Sequence, residues 1–102
     1  MSVTRVQVES TVRSVIDELN EARADGERIG TEPATVLYGS GSVLDSLGLV
    51  NLIVSIEARV GEDFGESVTL ADEKAMSMRN SPFRTVATIT EYVHQLLTEQ
   101  AP

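Results

Sequence analysis

Residues 45–60 read Asp45-Ser46-Leu47-Gly48-Leu49-Val50-Asn51-Leu52-Ile53-Val54-Ser55-Ile56-Glu57-Ala58-Arg59-Val60, a strongly apolar stretch without proline. Its length favours a helix over a strand and predicts one from Leu47 to Val60. Asp45 or Ser46 offers the N-cap, because a short oxygen-bearing side chain there accepts one of the first unpaired amides. Gly61 and Gly65 mark the end or fraying of the helix. At about 100° per residue the apolar positions fall on two opposed sides. Leu49, Leu52, Ile53, Ile56 and Val60 make one side; Leu47, Val50, Val54 and Ala58 make the other. The first set is core. The second either meets another helix or stands exposed as a docking patch beside Ser46, and docking is the preferred reading.

On the N-terminal side, Val8, Val12, Val15, Ile16 and Leu19 recur at steps of four and three among Glu9, Arg13, Asp17, Glu18 and Glu21. That is an amphipathic helix over roughly Val3 to Arg23. From Ala24 to Val43 the pattern breaks into Asp25-Gly26, Gly30, Pro33 and Gly39-Ser40-Gly41-Ser42, a long loop that Ile29, Val36 and Leu37 pin to the core. On the C-terminal side, Thr69 caps a short helix through Met76, and Pro82 stops it. Thr85 then caps a last helix whose apolar face is Val86, Ile89, Val93, Leu96 and Leu97. The expected class is all-α: a small antiparallel four-helix bundle of three longer helices and one short, with the long loop between the first and second. One domain over residues 1–102 is expected, with its core from about 6 to 97, and a chain of this size can fold without disulfides or a structural metal.

The chain has no cysteine and one histidine, which removes thiol catalysis, cysteine-ligated zinc and disulfides from its own side chains. Any thiol chemistry has to be brought in. A formal net charge of −8 and a sequence pI near 4.5 argue against nucleic acid and anionic membrane as partners and favour basic protein surfaces. No apolar run comes near the roughly 20 residues that span a bilayer, and Met1 to Val6 lacks the apolar core of a signal peptide. The expectation is a soluble, cytoplasmic, free-standing monomer.

The tripeptide Asp45-Ser46-Leu47, set between a Gly/Ser-rich loop and an apolar helix, resembles the modification motif of the acyl carrier protein family. The acidic four-helix pattern, the long loop before the motif, and the likeness of Thr85 to Tyr92 to the family's last helix extend the resemblance over roughly Val6 to Leu97. It implies that Ser46 carries 4′-phosphopantetheine, derived from coenzyme A, whose thiol holds acyl or aminoacyl groups as thioesters. It implies a carrier and not an enzyme, a phosphoprotein of fatty acid, polyketide or other specialised biosynthesis. The implied partners are a phosphopantetheinyl transferase and the ligase, synthase or transferase that loads or unloads the cargo, docking on Asp45, Leu47, Val50, Val54 and Glu57. Physically, a serine opening a helix lies outside the hydrogen-bond ladder, beside unpaired amides and the positive end of the dipole that favour an attached anion. Gly48 leaves room beside the hydroxyl for an incoming transferase.

The chain also departs from that family. Fatty-acid carriers stud the second helix with acids, whereas here Gly48, Asn51 and Ala58 occupy that face and mainly Asp45 and Glu57 carry charge. Steering by basic partners is correspondingly weaker, and extra length at 61–66 and 78–82 favours a specialised pathway over a housekeeping one. The cargo stays open between fatty-acyl, polyketide and aminoacyl groups, D-alanyl among them. The competing class is a helical protein–protein interaction domain in which Ser46 is only a cap. His94 reads as a surface histidine, and Met76 and Met78 as core filling or an adaptable acyl pocket. Glu62, Asp63 and Glu66 match no calcium loop and read as a solvated face, and the Gly39–Gly41 loop lacks the Lys-Ser/Thr of a P-loop.

Overall fold

The first helix, α1, spans Arg5–Asn20 and opens on a capping box: the Thr4 hydroxyl accepts from the Gln7 amide while the Gln7 side chain accepts from the Thr4 amide. The structure is a computed structural model that describes residues 3–39, 41–65, 68–70 and 82–100, with nothing described of the Ser46 and Gln100 side chains. Val8, Val12, Val15 and Ile16 are buried along one face of α1, as their spacing predicts, and Leu19 is half-buried. The helix is shorter than the expected Val3 to Arg23 at both ends, because Thr4 caps it at the start and residues 21–23 continue only as a turn and a bend.

The second helix, α2, spans Ser46–Phe64 and runs straight through Gly61. It ends instead at Gly65, whose φ of 69° is the left-handed geometry that closes helices and that glycine adopts without a side-chain penalty. The third helix, α3, spans Val86–Gln100. Thr85 caps it through the Thr88 amide, as expected, and the Val86 and Ala87 amides donate to the carbonyls of Thr35 and Pro33. The loop therefore satisfies amides at the start of α3 that have no partner inside their own helix.

The connection from 21 to 45 is more organised than its composition suggests. It holds a short 3-10 turn at Asp25–Glu27 and an antiparallel bridge between Val36 and Thr85, the latter reinforced by Leu37 donating to the Arg84 carbonyl at 2.6 Å. The Asn20 side chain clamps Ile29 by accepting from its amide and donating to its carbonyl, which holds Ile29 in the core. Leu37 is likewise buried, and Val36 half-buried.

α1 packs against both α2 and α3, while those two do not approach each other closely. Leu37, Val68, Leu70 and Phe83 from the connections join the three helical faces in one core cluster, and Phe83 meets Tyr92 edge-on at 6.1 Å. A radius of gyration of 13.0 Å is that of a compact chain of about 100 residues. The described residues are thus all-helical with three helices and no strand. The expected short helix from Thr69 to Met76 lies, beyond Leu70, outside the described residues, as do Glu66, Met76 and Met78.

Candidate functional site

The start of α2 is set by Asp45. Its backbone is extended and its carboxylate accepts from the Gly48 amide at 2.7 Å, while its carbonyl accepts the first helical bond, from Leu49. Ser46 is thereby the first residue of the helix. The cap takes the Gly48 amide, and the amides of Ser46 and Leu47 precede the first rung of the ladder. Gly48 has a tighter role than leaving room for a partner. A Cβ there would stand 3.1 Å from both the Asp45 carboxylate and a Leu44 methyl, so the missing side chain lets cap and loop close onto the first turn.

The two apolar sides of α2 have separate fates. Leu49, Leu52, Ile53, Ile56 and Val60 are all buried, whereas Leu47, Val50 and Val54 are 69%, 44% and 52% exposed and Ala58 is exposed as well. Among the described residues, the other exposed large hydrophobics are Tyr38 and Val43 in the loop before α2, and Val6 on α1. An apolar face thus runs from the residue after Ser46 down α2, with no acid between Asp45 and Glu57.

Glu57 does not stand free at the far end of this face. It is half-buried, and its carboxylate accepts from the Leu70 amide at 2.6 Å, tying the 68–70 segment to α2. Arg59, two residues further along, joins α2 to α1 by donating to the Ser14 hydroxyl and pairing with Glu18, and it also pairs with Glu62 on its own helix. Asp63 accepts from the Thr11 hydroxyl across the same seam. His94 is half-buried with Nε2 3.1 Å from the Val3 carbonyl, so it tethers the N-terminal segment instead of lying loose on the surface.

Sequence reasoning missed the contribution of the loop. Residues 37–39 and 44–45 lie with the first two turns of α2 around a cavity of about 470 Å³. Leu37, Leu49 and Ile53 are its buried lining; Tyr38, Gly39, Leu44, Asp45 and Val50 form the rest. The only available signal was Leu37, Tyr38, Val43 and Leu44 standing in a segment otherwise made of glycine and serine. Among the described residues no group of three or more His, Asp or Glu side chains could hold a metal ion, and no helix is long and apolar enough to cross a membrane. Comparison of the chain with family models, with curated proteins and with solved structures gives no match in any of the three.

Proposed function

We propose that this protein is an acyl carrier, esterified at Ser46 by a separate transferase and acting as a shuttle for the enzymes that load and unload it. The observation that carries the reading is the start of α2: Ser46 opens a capped helix, and an exposed apolar face leads away from it. The residues present fit the group. Helix-start amides and the positive end of the dipole suit a phosphodiester, and Asp45, although a like charge nearby, is exposed and engaged in the cap.

In the modification step the Ser46 oxygen forms a bond to the pantetheine-bearing phosphorus of coenzyme A. The pyrophosphate P–O bond breaks, adenosine 3′,5′-bisphosphate leaves, and the serine proton passes to a base on the transferase. The arm supplies the thiol that this cysteine-free chain lacks, and cargo is held on it as a thioester. This chain's own part is to present Ser46 at a capped helix start and to offer Leu47, Val50 and Val54 to partners.

Incubation with coenzyme A and a broad phosphopantetheinyl transferase should add one phosphopantetheine to the intact mass. Ser46→Ala should abolish the addition without loss of helical content. A Ser46→Ala protein that is still modified, or a native chain that never is, refutes the assignment. The exposed face would equally serve an interaction domain in which Asp45 and Ser46 only begin a helix, and the unmodified native mass is the result that reading requires.

A further inference from the structure

A net charge of −8 points to basic partners, yet the described acids stand away from the exposed apolar face of α2. Leu47, Val50, Val54, Ala58 and Gly61 are exposed at steps of three and four, with Asn51 beside them. They line one stripe of the helix, roughly 21 Å long at the helical rise, and none of them is charged. The two acids that border the stripe hold the chain's own amides. Asp45 accepts from Gly48 at 2.7 Å, and half-buried Glu57 accepts from Leu70 at 2.6 Å. Past Gly61, Glu62 pairs with Arg59, and Asp63 accepts from the Thr11 hydroxyl of α1. Glu9, Asp17 and Glu18 belong to α1, which packs on the buried side of α2, and Glu91 and Glu99 belong to α3. At the Ser46 end, Arg23 donates to the Val43 carbonyl at 3.4 Å, so a positive charge stands near the one that Asp45 carries.

A lysine or arginine pressed against this stripe would give up water without meeting a carboxylate along it. Arg23 would also oppose a basic surface at the Ser46 end. An apolar side chain forfeits nothing there and takes Leu47, Val50 and Val54 out of water. Resting on the carrier reading, we propose that the enzymes that modify and load this chain dock on the α2 stripe through an apolar surface without clustered lysine or arginine. Asp45 serves as the cap of α2 and Glu57 as its tie to residues 68–70, and neither is a docking contact. Association is driven by burial of the stripe and not by charge attraction.

The test uses two phosphopantetheinyl transferases of known structure, one whose carrier-docking surface is apolar and one whose surface is basic. Saturating coenzyme A leaves recognition of the carrier as the quantity read. With the apolar-surface enzyme, kcat/KM for the native chain should change less than about twofold between about 0.05 and 0.5 M sodium chloride, because salt screens charge attraction and spares apolar contact. Asn51→Glu combined with Ala58→Glu puts two carboxylates on the stripe at exposed positions. The double variant should gain about tenfold or more in kcat/KM with the basic-surface enzyme and lose a similar factor with the apolar-surface one. A native chain whose modification by the apolar-surface enzyme falls about tenfold with salt, or a double variant that gains nothing with the basic-surface enzyme, overturns the inference while leaving Ser46 as the modified residue. Should circular dichroism show the double variant unfolded, the salt response of the native chain decides. If neither transferase modifies the native chain, the carrier reading fails and this inference with it.

Discussion

Val50→Glu and Ile53→Glu place the same carboxylate three residues apart on α2, and the structure assigns them opposite outcomes. Val50 is 44% exposed and Ile53 is 1% exposed. Fully burying a valine is worth about 1.5–3 kcal/mol, and Val50 forgoes nearly half of that already, so its loss costs about 1 kcal/mol. Glutamate recovers a few tenths of this through better helix propensity. At Ile53, removing the side chain costs about 2–5 kcal/mol, and burying a carboxylate without a partner adds several more. The sum is comparable with the roughly 5–15 kcal/mol that holds a typical domain together. Urea denaturation followed by far-ultraviolet circular dichroism should therefore give Val50→Glu, and likewise Val54→Glu at 52% exposure, nearly the native midpoint. Ile53→Glu should lack a folded baseline. The two folded variants should accept phosphopantetheine slowly, because they put a charge on the apolar face beside Ser46. Unfolding of Val50→Glu would show that this face is core and refute the docking argument, and native modification rates in both folded variants would show that partners do not read it.

Three further perturbations bear on how the fold is held. With 16 acids against 8 arginines and lysines, self-repulsion opposes the compact state, so added salt should raise the melting temperature near neutral pH; a flat or falling response would mean that pairs such as Arg5–Glu91 outweigh it. Asp45→Ala should lower stability by about 1 kcal/mol in urea titrations while Asp45→Asn stays within a few tenths, since asparagine caps as well as aspartate. Equal losses in both would trace the effect to charge instead of the cap. Arg59→Met keeps much of the apolar stem but drops the contacts to Ser14, Glu18 and Glu62, and should cost about 1–2 kcal/mol; no measurable change would assign the seam between α1 and α2 to apolar packing alone.

The helices and their core faces were legible in the sequence because both depend on local spacing. Val8, Val12, Val15 and Ile16 on α1, Leu49 to Val60 on α2, and Val86 to Leu97 on α3 repeat at the helical period, and Asp45 and Thr85 are chemically suited to the caps they form. The end of α2 was less legible, since whether Gly61 or Gly65 stops a helix depends on which residue turns left-handed. The outer face of α2 was legible as a pattern and not as a fate. Leu47, Val50 and Val54 have the spacing of buried residues, and only the packing of α1 against the opposite side leaves them in solvent.

Other features had no local signature at all. Glu57 binds the Leu70 amide 13 residues away, His94 lies against Val3 across 91 residues, and residues 37–39 and 44–45 line a cavity with α2 while Leu37 and Tyr38 are bonded to Arg84. Sequence by itself determined what each segment can be, through backbone geometry and the nature of its caps. Tertiary structure alone decided which apolar surfaces are covered, because covering them requires groups that are distant in the chain and close only after folding.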